Sequence, residues 1–69
     1  MTPVLDQLTI REEDVLRLLC SGMGEREMAR ELGVSVFTIR AHKASARHKL
    51  RAASTPHAAA IYTAARARA

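Results

Sequence analysis

The residues of this chain best equipped for chemistry are its cations. From Leu32 to Ala69 the sequence carries Arg40, Lys43, Arg47, Lys49, Arg51, Arg66 and Arg68 without one Asp or Glu. All the acids (Asp6, Glu12, Glu13, Asp14, Glu25, Glu27 and Glu31) stand earlier. The net charge is +4, but the segregation matters more than the sum, because it creates a field that attracts polyanions to one half of the molecule. Arg40 to Arg51 is the dense part, and its chemistry is that of phosphate and base-edge recognition rather than catalysis. No Gly-rich phosphate loop, nucleophile elbow or helix-borne His-Glu pair is present, so no enzyme and no cofactor are expected. His42, His48 and His57 are spaced six and nine apart, which puts no two of them on one helical face, and Cys20 has no partner cysteine. A metal site is therefore not expected.

The segment Met28-Ala-Arg-Glu-Leu-Gly-Val-Ser-Val-Phe-Thr-Ile-Arg-Ala-His42 must position these cations. It reads as two short helices crossing steeply about a tight turn. Ala29 is small enough for close approach, Gly33 can take the left-handed conformation that ends the first helix, and Ser35 caps the second. Met28, Leu32, Val34 and Ile39 fill the space between them. This is the logic of a helix-turn-helix, whose second helix enters the major groove of DNA.

The remaining elements follow from periodicity and caps. Pro3 suits the start of a short helix, with Val4, Leu5 and Leu8 on one face, so residues 1–8 form an N-terminal extension that covers the core. Thr9-Ile10-Arg11-Glu12 is a capping box, opening a helix with Val15, Leu16, Leu18 and Leu19 as its stripe and Gly22 as its stop. A second helix runs from about Glu25 to Leu32, starting at Gly24. A third follows Ser35 and is expected to reach Arg51. A fourth begins at Ser54-Thr55-Pro56 and runs through Ala58, Ala59, Ile61, Tyr62 and Ala65. No strand-like alternation appears. The expected fold is all-α, a four-helix helix-turn-helix domain spanning residues 9–67.

With 69 residues there is room for one small domain, one that buries only about 60% of its unfolded surface. Phe37 and Tyr62 are the two aromatic residues, so the core must be aliphatic and thin. A lone cysteine suits a reducing compartment, and neither a membrane-length apolar run nor a signal-peptide pattern is present; a cytoplasmic, nucleoid-associated protein is expected.

Placing the third helix on a wheel at about 100° per residue separates two faces. Ile39, His42, Ala46 and Leu50 fall together and form the core side. Phe37, Arg40, Ala41, Ala44 and His48 fall opposite, with Lys43 and Arg47 flanking. An outward face mixing Arg with two alanines allows the backbone to approach a groove while one long donor reaches base edges. Arg40 is the candidate base reader, its fork matching guanine O6/N7; a phosphate contact is its alternative role. Phe37 and Ala41 suit a thymine methyl, although Phe37 has the alternative of folding back over the second helix. Lys43, Arg47, Lys49 and Arg51 suit phosphates, Arg26 and Arg30 reach the backbone from the other side, and Thr38 lies at the positive helix end where a phosphate is favoured.

These residues resemble the LuxR/FixJ-type (GerE) DNA-binding domain. The matching stretches are Leu8–Leu19, Gly22-Met23, Glu27–Ser35, Thr38–His42 and Lys49-Leu50. The resemblance implies a four-helix unit that binds two-fold symmetric DNA as a dimer, often through its last helix. It implies base contacts at Arg40, Ala41 and Ala44 and phosphate contacts near Arg30, Thr38 and Lys49. Such units usually follow a receiver or ligand-binding domain; this one is expected to stand alone, controlled by abundance, self-association or a partner. Three positions depart from the family pattern: Gly24 where serine or threonine is favoured, Arg51 where glycine commonly follows Lys-Leu, and Ala44, which offers no hydrogen bond to a base. A homodimer joint is expected at Ala59, Tyr62 and Arg66, which share a face of the last helix.

Two other functions fit part of the pattern. A sigma-factor region-4-like module has a similar Arg-rich third helix and would need RNA polymerase as partner. A protein-interaction module would pair with a larger regulator through its last helix, and would show no salt-sensitive binding to random duplex.

Overall fold

The computed structural model describes residues 3–68, with side chains from Leu5 onward, so Met1, Thr2 and the Val4 side chain of the extension lie outside the description. Five helices follow one another: α1 (Pro3–Asp6), α2 (Ile10–Cys20), α3 (Glu25–Leu32), α4 (Val36–Lys49) and α5 (Thr55–Arg68). The described residues contain no strand. The four longer helices are those expected from the sequence, and the domain is all-α.

Local chemistry sets the boundaries. At the start of α2 the Glu12 amide donates to Thr9 Oγ1 at 3.1 Å while the Thr9 amide donates to Glu12 Oε1 at 2.9 Å, completing the capping box. At α3 only half a box forms, because Gly24 has no side chain; its amide donates to Glu27 Oε1 at 3.2 Å. Gly33 ends α3 in the left-handed region at φ 68°, which lets the Val34 amide reach the Ala29 carbonyl at 3.0 Å. Ser35 Oγ then accepts from the Thr38 amide at 3.0 Å and opens α4. The amide of His57 donates to Ser54 Oγ at 3.2 Å, fixing the start of α5.

α4 stops at Lys49, short of the expected Arg51. Leu50 caps it and Arg51 turns left-handed at φ 54°. The turn closes with the Ala52 amide on the Arg47 carbonyl at 3.0 Å and Arg47 Nη1 on the Ala52 carbonyl at 3.2 Å. This is the position where a glycine would carry no steric cost.

Two buried clusters share α2 and α4. Val15, Leu18, Met28, Ala29 and Ile39 fill the space where α2, α3 and the first half of α4 meet. Leu8, Leu16, Ala46, Leu50, Ala52, Ala58 and Tyr62 fill the space toward α5, with Leu5 and Ile61 packed at the edge. Burying a side chain such as Leu16, Met28 or Ile39 contributes about 1.5–3 kcal/mol each, and all three are fully covered. The consequence for function is geometric. α4 is gripped at both ends of one side, by α3 near Ile39 and by α5 near Ala46, so its opposite side is held rigidly outward.

Candidate nucleic-acid interface

The outward side of α4 holds the residues expected there. Phe37, Arg40, Ala41, Ala44 and His48 are all exposed, while Ile39, Ala46 and Leu50 are buried and His42 is half-buried. Phe37 is 80% exposed, which excludes its folding back over α3. An aromatic ring left uncovered on a helix flanked by alanines is costly in water and suits an apolar partner such as a thymine methyl. Arg26 and Arg30 lie exposed on α3. Thr38 is half-buried, and its hydroxyl shares a hydrogen bond with Ser35 Oγ at 3.0 Å.

The expected phosphate contacts do not form one class. Arg47 is exposed and keeps most of its guanidinium free beyond the one bond to Ala52. Lys49 is committed elsewhere: its Nζ lies 2.8 Å from Glu12 Oε1, and Glu12 is only 3% exposed. Ser45 Oγ donates to the other carboxylate oxygen. Burial pushes the Glu12 carboxyl up, but the hydrogen bonds from Lys49, Ser45 and the Thr9 amide, with the Lys49 charge, outweigh burial and hold it at about 2. Lys49 therefore ties α4 to α2 in the free domain.

Lys43 is also paired. Its Nζ donates to Glu25 Oε2 at 3.0 Å, while Arg40 Nε donates to Oε1 of the same carboxylate at 3.0 Å. The Lys43 bond first, and the Arg40 bond next, hold the Glu25 carboxyl below the usual carboxylate range. In the sequence Glu25 marks only the start of α3, where it stands with Glu27 in the acidic first turn. Its reach across to α4, 15 and 18 positions away, has no periodic signal.

The three residues expected to form a joint on the last helix do not share an exposed surface. Tyr62 is 6% exposed and packs into the cluster with Leu16 and Ala58, so it cannot present its ring to a second chain. Burial also pushes its phenol pKa up. Ala59 is half-covered, its carbonyl accepting from Thr63 Oγ1 at 2.9 Å, and Arg66 alone of the three is exposed. The uncovered face of α5 is instead Ala60, Thr63, Ala64 and Ala67.

An exposed cationic helix braced at a steep turn against a shorter helix defines a helix-turn-helix nucleic-acid-binding domain. The family model for bacterial regulatory proteins of the luxR family (GerE) matches residues 6–62, and the chain belongs to that family of DNA-binding transcription regulators. The domains of this family are regulators rather than enzymes. No curated protein and no solved structure matches the chain. No helix among the described residues is long and apolar enough to cross a membrane.

Proposed function

We propose that this protein is a sequence-specific regulator of transcription that lays α4 in the major groove of duplex DNA. The observation that carries this reading is the uncovered face of α4, with Phe37, Arg40, Ala41 and Ala44 side by side in a domain of the luxR family. Arg40 presents its fork to a guanine, Phe37 and Ala41 pack on thymine methyls, and Ala44 allows the backbone to come close. Arg30, Arg47 and the start of α4 at Thr38 hold phosphates and set the register. Lys43 flanks the groove and reaches a phosphate only on leaving Glu25.

A single small domain with two alanines on its reading face holds a lone half-site weakly. Two copies on half-sites one helical turn apart would double the contacts, and a two-fold symmetric operator follows from that geometry. The exposed face of α5 (Ala60, Thr63, Ala64 and Ala67) is the surface open for such pairing in a homodimer. The protein would act in the cytoplasm, on nucleoid DNA.

Amide chemical-shift mapping with a duplex selected from a randomised pool tests the binding mode. Shifts concentrated from Val36 to Ala44 and on the exposed side of α3 are expected. Shifts confined to α5, with α4 unmoved, would overturn it.

A further inference from the structure

Glu25 stands on α3, yet both its oxygens serve α4. Oε1 accepts from Arg40 Nε at 3.0 Å and Oε2 from Lys43 Nζ at 3.0 Å. Its side chain is 29% exposed, that of Lys43 20% and that of Arg40 67%. The atom chosen on Arg40 is decisive. With Nε taken, the guanidinium is fixed from its side, and the end-on pair of amino groups remains for an external acceptor. That pair matches the O6/N7 edge of guanine.

We propose that Glu25 is a specificity-determining positioning residue: it orients the Arg40 fork toward a base edge and keeps Lys43 from seizing phosphates indiscriminately. The proposal rests on the reading of α4 as the DNA-contacting helix. The physical argument has two parts. An arginine on a flexible stem loses side-chain entropy when it binds a base, and a carboxylate that already holds it removes part of that loss. A cation paired within the protein also adds less to the sequence-independent attraction that supplies binding to random DNA. Both parts raise the ratio of specific to random binding, and the second does so by lowering the random affinity.

Glu31, exposed on the same helix and without an ion pair among the described residues, supplies the control. Glu25→Ala and Glu31→Ala remove the same charge from α3 and insert the same helix-favouring residue. The experiment measures affinity for a duplex selected by the parent protein from a randomised pool, and for a random-sequence duplex, at matched salt. Glu25→Ala is expected to raise random-duplex affinity and lower the specific-to-random ratio by about 3–10-fold, a part of what a base-reading arginine supplies. Glu31→Ala should leave the ratio near that of the parent. In an Arg40→Ala background the Glu25 change should lower the ratio by clearly less, because only the release of Lys43 then remains, a coupling that mere loss of stability would not produce. An unchanged ratio for Glu25→Ala, or the same fall with Glu31→Ala, or the same fall without Arg40, overturns the proposal while leaving DNA binding by α4 intact. A parent protein that selects no duplex overturns the reading beneath it.

Discussion

Glu12 on α2 and Lys49 on α4, 37 positions apart in sequence, meet at 2.8 Å beneath the reading helix. Glu12 already caps its own helix through the Thr9 amide, so one carboxylate ties the start of α2 to the end of α4. With Ile39 buried near the other end of α4, this ion pair fixes the angle at which the helix is presented. Removing one partner leaves a buried charge short of a donor, which costs more than the pair itself contributes.

Lys49→Ala is therefore expected to destabilise the domain by about 2–4 kcal/mol, read as a lower urea midpoint. Its loss of duplex affinity should follow the loss of folded protein and disappear once the measurement is corrected to the folded fraction.

The same carboxylate predicts acid sensitivity. Glu12 titrates at about 2 in the folded protein against an ordinary 4.5. Because the folded value is the lower one, its contribution is fully present above pH 4.5 and is lost as pH falls toward 2. The difference corresponds to about 3 kcal/mol. Urea unfolding across that window should show the loss in the parent protein, and Glu12→Gln should flatten that part of the profile while lowering stability at neutral pH.

Arg51 offers the opposite kind of change. Its φ of 54° is uncomfortable for any residue with a β-carbon. Arg51→Gly should stabilise the domain by about 0.5–1 kcal/mol, the relief of the left-handed strain exceeding the added freedom of the unfolded chain. Thermal unfolding followed by circular dichroism should show the midpoint rising by several degrees, about 2–8 °C.

Much of the fold was legible because its punctuation is chemical. Thr9 with Glu12, Gly33 and Ser35 each have a side chain, or the lack of one, that suits a helix end, and the structure uses them there. The two faces of α4 were legible too, since Ile39 and Leu50 mark one side and Arg40, Ala41 and Ala44 the other. The last helix was not. Its mixture of alanines with Ile61 and Tyr62 has no clear apolar stripe, so Tyr62 was expected outside and lies inside, against Leu16. Nor could the roles of the lysines be read. Local sequence shows that Lys43 and Lys49 are charged, but not that carboxylates from α2 and α3 arrive beside them.

That burial decides how pairing is tested. Tyr62→Glu would place a charge in the core and is expected to abolish cooperative unfolding rather than assembly alone. Ala64→Glu, on the exposed face of α5, should keep the fold and prevent two copies from sharing an operator. Sedimentation of the protein–duplex complex should then show two chains for the parent and one for Ala64→Glu.

Arg40→Ala should remove about 1–3 kcal/mol of discrimination between the selected duplex and a single-base variant at the contacted guanine. Competition binding between the two duplexes measures it directly; equal losses on both would assign Arg40 to the backbone.

The central claim, that the cationic half of this domain binds duplex DNA, is tested most directly by the salt dependence of duplex affinity in a fluorescence anisotropy titration of the parent protein. Each phosphate neutralised contributes about −0.9 to the slope of log affinity against log salt. With Arg26, Arg30, Arg47 and Arg51 exposed, a slope of about −3 or steeper is expected. A slope flatter than about −1, or no binding at low salt, would contradict it.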